Sequence, residues 1–222
     1  MMMQEWFSDG LPIQVPAGTS ILDAEMQVPA GAAGLIVLTH AGGRARYGQR
    51  AQNLAEALLK EGYGILIMDL LTEEESEIGK DAGDSECFDE EMLAERLDDS
   101  LGWVRDLPEA MGLPLALFGA GPGARAIFAA AAARPLEISA LAAAGLETPP
   151  EARVLRAIRS PTLILAGDPE GPDADCARAC FDLIPARKRI EFVPGISSGR
   201  EDPRASDKLA RLACQWFAHH LI

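Results

Sequence analysis

The sequence is short of the residues that commonly carry chemistry or staple a fold together. Its 222 residues include three histidines, four cysteines, two tyrosines and three tryptophans. The cysteines, Cys87, Cys176, Cys180 and Cys214, are scattered, and a chain of this length can bury a core without disulfides. Reduced thiols and a cytoplasmic setting are therefore expected. Cys176 and Cys180 stand four apart, which stacks them on one helix face. Small apolar packing is the ordinary role there and a metal pair the rarer one. No other grouping has metal-ligand spacing, and no cofactor is expected. No apolar run approaches the roughly 18 residues of a membrane-crossing helix. The start, MMMQEWFSDG, has neither a basic nor an apolar leader segment, so no signal peptide is expected.

Positive charge is also scarce. Lysine and arginine number 20 against 34 acids, a formal net charge of −14. Thirteen of the acids fall between Glu73 and Asp99, where Lys80 and Arg96 are the only bases. Such a field repels phosphate, which argues against nucleic acid and anionic membranes as partners. A solvated face that aids solubility and a docking surface for a basic partner both remain open.

What the sequence does have is 48% hydrophobic residues, grouped in short runs that alternate with helical spacing. Leu11 to Pro29 reads as a hairpin of two extended pieces around Pro16-Ala17-Gly18. GLIVLT (Gly34 to Thr39) and GILIMDL (Gly64 to Leu70) read as buried strands, with an amphipathic helix from Tyr47 to Lys60 between them. Leu71 to Cys87 is acidic and aperiodic and reads as a long surface loop. Helical spacing resumes over Phe88 to Leu107. Further strands are expected at Leu115 to Phe118, Ile138 to Ala144, Pro161 to Ala166 and Arg189 to Val193. Helices are expected from Gly123 or Ala124 to Arg134, and at Glu151 to Ile158, Asp173 to Ile184 and Ser206 to Leu221. This alternation implies one α/β domain over residues 1–222, with a mostly parallel sheet and helices on both faces. Ligands in such folds sit outside the carboxyl ends of the strands.

One stretch organises the rest: LPLALFGAGPGA, Leu113 to Ala124. A buried strand enters a tight glycine turn and a helix leaves it. Gly119-Ala120-Gly121-Pro122-Gly123 has the outer frame of a nucleophile elbow, G-x-S-x-G, with Gly121 in the serine's place. The elbow residue is held at positive φ, which glycine reaches without a Cβ clash, so the turn should persist without its serine. The same residues fit the dinucleotide fingerprint G-x-G-x-x-A, with Glu147 as a distant ribose-binding acid. That fingerprint belongs to a first βαβ unit rather than a middle one, and Pro122 removes a phosphate-binding N–H.

The order of GLIVLTHAGG, MDLLTEEE, LALFGAGPGA, PTLILAGDPEG and FVPGISS resembles the α/β-hydrolase superfamily, and most closely its dienelactone hydrolase-like group, over nearly the whole chain. The resemblance implies an α/β-hydrolase fold with an N-terminal hairpin, and a homodimer is possible on the same ground. It also implies a role for each loop. The nucleophile position is Gly121. The acid position is Glu170, with Asp168 as a near alternative. The histidine position is Ser198. Pro122 follows the nucleophile position, where the family's oxyanion-binding N–H would lie, and proline has no N–H. His40, Ala41, Gly42, Ala120, Pro122 and Asp168 are the expected cleft-lining residues, with His40 shaping its loop.

With nucleophile, base and oxyanion donor all replaced, the expected protein is a pseudo-hydrolase that binds a small molecule or a protein partner at the former cleft. The alternative is an ester or lactone hydrolase with a rearranged site. Ser197 and Ser198 lack a histidine to activate them, and the acidic surroundings of Cys87 disfavour its thiolate. Asp69 reads as a loop-fixing acceptor, and Trp6, Trp103 and Trp216 as packing residues.

Overall fold

Strands that are apolar on both faces need cover on both sides. In the computed structural model, which describes residues 10–40, 45–81, 89–196 and 202–221, the apolar runs meet that need inside one eight-stranded sheet. Its strands are β1 (Leu11–Ala17), β2 (Ser20–Gln27), β3 (Leu35–His40), β4 (Gly64–Asp69), β5 (Leu115–Ala120), β6 (Ile138–Ala144), β7 (Thr162–Ala166) and β8 (Lys188–Phe192). They lie in the order β1-β2-β4-β3-β5-β6-β7-β8. β1 and β2 form the expected antiparallel hairpin, and β2 also runs antiparallel to β4. All the remaining neighbours are parallel. The edge strand β1 carries Pro12 and Pro16, and proline in a sheet is confined to such edges.

The helices are α1 (Gln49–Lys60), α2 (Glu73–Asp81), α3 (Glu90–Arg105), α4 (Pro122–Ala133), α5 (Ala152–Ala157), α6 (Pro172–Leu183) and α7 (Pro203–His220). A short 3-10 helix, Ala45–Tyr47, precedes α1. The period-2 alternation of the strands sorts their side chains into two core layers. Leu35, Val37, Leu66, Met68, Leu115 and Leu117 pack with α3, α4 and α6. Ile36, Leu38, Ile65, Ile67 and Phe118 pack with α1 and α7. Cys176 and Cys180 are buried in the first layer, Trp103 packs against it, and Trp216 is buried in the second. Trp6 lies outside the described residues.

One expectation is overturned. Part of the acidic segment from Leu71 to Cys87 is not a loop, because Glu73–Asp81 forms α2. The cause is a capping box that acidity had masked. The Glu75 N–H donates to Thr72 Oγ1 at 3.3 Å, and the Thr72 N–H donates back to Glu75 Oε2 at 2.9 Å. Glu73, Glu74 and Glu75 also place negative charge in the first turn, where the helix dipole favours it. Residues 82–88, with Cys87, lie outside the described residues.

Arg96 ties this helix to the sheet from its buried position on α3. Its guanidinium donates to both Glu75 carboxylate oxygens at 2.7 Å, to the Leu70 carbonyl at 3.0 Å and to Ser20 Oγ at 2.9 Å. One side chain thus joins α2, the end of β4 and the β1–β2 hairpin. The Arg96 hydrogen bonds, helped by the Thr72 N–H and opposed by burial, lower the Glu75 carboxyl from 4.5 to about 2. A folded-state value below the unfolded one stabilises fully above the unfolded value and is lost as pH falls. Glu75→Gln should therefore flatten the acid limb of stability between 4.5 and about 2, with the gap from the parent closing at the acid end. Urea denaturation followed by circular dichroism across that range measures it, and parallel curves would refute the linkage.

The turn between β5 and α4 depends on two glycines that lack room for a methyl group. A Cβ on Gly119 would lie 2.5 Å from the Gly123 carbonyl oxygen, and one on Gly123 would lie 2.7 Å from the Thr39 carbonyl oxygen. Gly121 differs: its φ is +55°, yet nothing lies within 4 Å of an added Cβ. Gly121→Ala should cost about 1–3 kcal/mol of backbone strain, since φ 55° with ψ −128° is a sparsely populated region. Gly119→Ala and Gly123→Ala should cost more, at or above the ~1–3 kcal/mol of an overpacked core. Denaturation midpoints of the three variants test that ranking.

Candidate functional site

The carboxyl ends of β3, β5 and β6 open onto a cavity of about 260 Å³. Its floor is apolar, with Leu54, Phe118, Ile196 and Leu209, and its polar lining comes from His40, Arg50, Glu147 and Asp173. Ala120 and Gly121 form the edge that belongs to the β5–α4 turn.

Gly121 is the N-cap of α4, with φ 55° and ψ −128°. Its N–H donates to the Ala144 carbonyl at the end of β6 at 3.0 Å, and its own carbonyl accepts from the Ala124 N–H at 3.0 Å. The turn therefore keeps an elbow-like shape with a hydrogen where a side chain would project. Pro122 occupies the first helical position, where its fixed φ suits the helix and its missing N–H breaks no helical bond. It is exposed and stands outside the cavity lining.

His40 ends β3. Its carbonyl accepts from the Leu70 N–H at 2.9 Å, which anchors the end of β4. The loop that His40 was expected to shape lies outside the described residues, and in the ring itself Nδ1 is buried without a hydrogen-bond partner. Burial lowers its pKa to about 4, so the imidazole is neutral at pH 7. Arg50, on the first turn of α1, donates from Nη1 to the Ile196 carbonyl at 2.7 Å and so holds the loop after β8 against the cavity.

The two carboxylates singled out from the sequence, Asp168 and Glu170, are both exposed and outside the lining. They are locked together instead, the Glu170 N–H donating to Asp168 Oδ1 at 3.2 Å. Two other carboxylates line the cavity: Glu147, which is exposed, and Asp173, which is 5% exposed and accepts from the Gly167 N–H at 2.5 Å. Counting along the loop after β7 missed Asp173, because it belongs to the first turn of α6. The Gly171-Pro172-Asp173 helix start was the available signal. Arg50 was also missed, although it adjoins the apolar face of α1. Ala41, Gly42 and Ser198 lie outside the described residues.

Asp69 fixes its loop by accepting from Arg46 Nη1 at 2.7 Å. Among the described residues, no three His, Cys, Asp or Glu side chains could hold one metal ion, and no helix is long and apolar enough to cross a membrane.

No family model matches the sequence. A protein found in two strains of Mycobacterium tuberculosis, named provisionally as a phosphoribosyl transferase, is 32% identical over 209 residues, or 94% of this chain and 46% of that protein. The chain thus spans about half the length of the curated relatives it matches. Among solved structures, an esterase domain from a Rhodothermus marinus protein superposes with a TM-score of 0.72 at 14% identity, covering 96% of this chain and all of that one at 100%. At that identity the likeness concerns the fold alone. Dienelactone hydrolase from Anabaena variabilis is 31% identical, with a TM-score of 0.88, 96% of this chain and 99% of that chain covered. With that identity over nearly the whole of both chains, and the same fold, the chain belongs to the dienelactone hydrolase-like group of the α/β-hydrolases.

Proposed function

We propose that this chain is a non-hydrolysing member of its family that holds a compact small molecule in the elbow cavity. The observation that carries the reading is the turn itself: Gly121 offers no attacking atom and Pro122 offers no N–H to a developing oxyanion. One missing donor of that kind costs about 2.7–4 kcal/mol of transition-state stabilisation, before the absent nucleophile is considered. The apolar floor and the few polar groups are the ordinary make-up of a small-ligand site. Phosphoribosyl transfer, named for the mycobacterial relatives, stays outside this reading. The matching segment is under half of those proteins and has its counterpart in a dienelactone hydrolase.

The test uses 4-nitrophenyl acetate and a five-membered unsaturated lactone as probes. The parent protein should leave both intact, while saturation-transfer NMR detects the lactone in the cavity and Ala120→Phe, which fills it, removes that signal. The variant Gly121→Ser, Pro122→Ala, Ser198→His should gain measurable ester hydrolysis. Saturable turnover by the unaltered chain would overturn the reading.

A second reading, weak hydrolysis by a water molecule, is favoured by one observation: a neutral histidine with a free ring nitrogen lines the same cavity. If His40 serves as that base, activity should fall on acidification with a midpoint near its value of about 4 and disappear in His40→Ala. A pH–rate profile of both proteins decides it.

A further inference from the structure

Strand β8 is the last in the sheet order and pairs on one side, with β7. The period of two decides which of its backbone groups face away. The Arg187 carbonyl accepts from the Thr162 N–H at 2.8 Å, and the Val193 N–H donates to the Ala166 carbonyl at 2.7 Å. The odd-numbered residues therefore face β7, and Lys188, Ile190 and Phe192 turn their N–H and C=O groups outward. The Phe192 carbonyl already accepts from Lys208 Nζ at 2.7 Å and keeps a second lone pair. We infer that β8 is a self-association edge, on which a second copy of this chain pairs antiparallel about a two-fold axis at Ile190.

Charge selects both the occupant and the register. Arg189 and Glu191 share the α7 face of the strand, where Arg189 Nη2 and Glu191 Oε1 form an ion pair. In a two-fold antiparallel pair, facing residues are placed symmetrically about the axis. With the axis at Ile190, Arg189 lies opposite the partner's Glu191, and Glu191 opposite the partner's Arg189. Both are non-hydrogen-bonded pairs, the kind whose side chains stand closer. Moving the axis by one residue sets Arg189 against Arg189 or Glu191 against Glu191, and like charges directly opposite destabilise a sheet.

The backbone fits the same register. Ile190 faces its own copy and Lys188 faces the partner's Phe192, so outward donors meet outward acceptors. On the α6 face the half-buried Ile190 side chains become neighbours. On the α7 face Arg189 and Glu191 border a groove of about 310 Å³ with Leu212, Gln215 and Trp216, which leaves room for the facing side chains. A two-fold interface needs a patch complementary to itself. An apolar residue flanked symmetrically by one base and one acid is such a patch.

Sedimentation velocity of the full chain over a range of concentrations tests the edge. A reversible monomer–dimer equilibrium is expected. Arg189→Glu, which sets acid against acid, should raise the dimer Kd about tenfold or more. Adding Glu191→Arg to that variant restores opposite charges across the seam and should bring Kd back to within about threefold of the parent. Ile190→Pro removes the central outward N–H at a position where an edge strand tolerates proline, and should leave monomer. Circular dichroism confirms that each variant folds. A parent that stays monomeric at every concentration would overturn the proposal. So would a dimer unmoved by Ile190→Pro, or a double reversal that associates no better than Arg189→Glu alone.

Discussion

Everything at the elbow depends on three backbone segments meeting at closer than side-chain distance. The end of β5, the first turn of α4 and the end of β3 come together at Gly119, Gly123 and Thr39. Thr39 Oγ1 donates to the Phe118 carbonyl at 3.3 Å and lies 3.4 Å from the Gly123 carbonyl, so the junction is hydrogen-bonded as well as packed. Protein interiors are dense enough that no neighbour can give way there. This junction fixes where Gly121 turns and where the elbow cavity opens. It requires glycine at its two flanking positions for lack of room, whereas the middle one has room for a side chain and favours glycine only through its positive φ. That asymmetry explains how an elbow can keep its shape while its central side chain is absent.

A second cavity, between α2 and the β1–β2 hairpin, lies at the same end of the sheet as the elbow cavity but presents a different field. The elbow cavity is mostly apolar, with a neutral imidazole, one guanidinium and two carboxylates. The other is strongly negative, and its walls come from elements the elbow does not use. Arg46 and Arg96 hold those walls in place, each through a carboxylate: Asp69 and Glu75 respectively. Buried arginine suits this role because its planar fork satisfies several acceptors at once. The surplus of acid around α2 is therefore partly structural, and partly a field that remains after the structural pairs are made.

Much of the fold was legible because its strands declare themselves. Runs such as LIVLTH and GILIMD are apolar on both faces, which leaves the centre of a parallel sheet as their place. Helix α2 was missed because three consecutive glutamates read as solvation, although Thr72 and Glu75 carry a capping signature. The site was less legible, and for a physical reason. A loop's residue count does not say which carboxylate turns inward: Asp168 and Glu170 form a turn in solvent, while Asp173 reaches the cavity from a helix. The unpartnered Nδ1 of His40 follows from burial at a strand end, which composition does not reveal.

The prolines of β1 have a consequence for assembly. Pro12 and Pro16 stand four apart, so the outer margin of the sheet lacks two of the amide donors another strand would use. At the opposite margin β8 carries no proline and keeps its amide donors. Open-ended stacking into fibrils needs two usable rims, and the prolines of β1 handicap one of them.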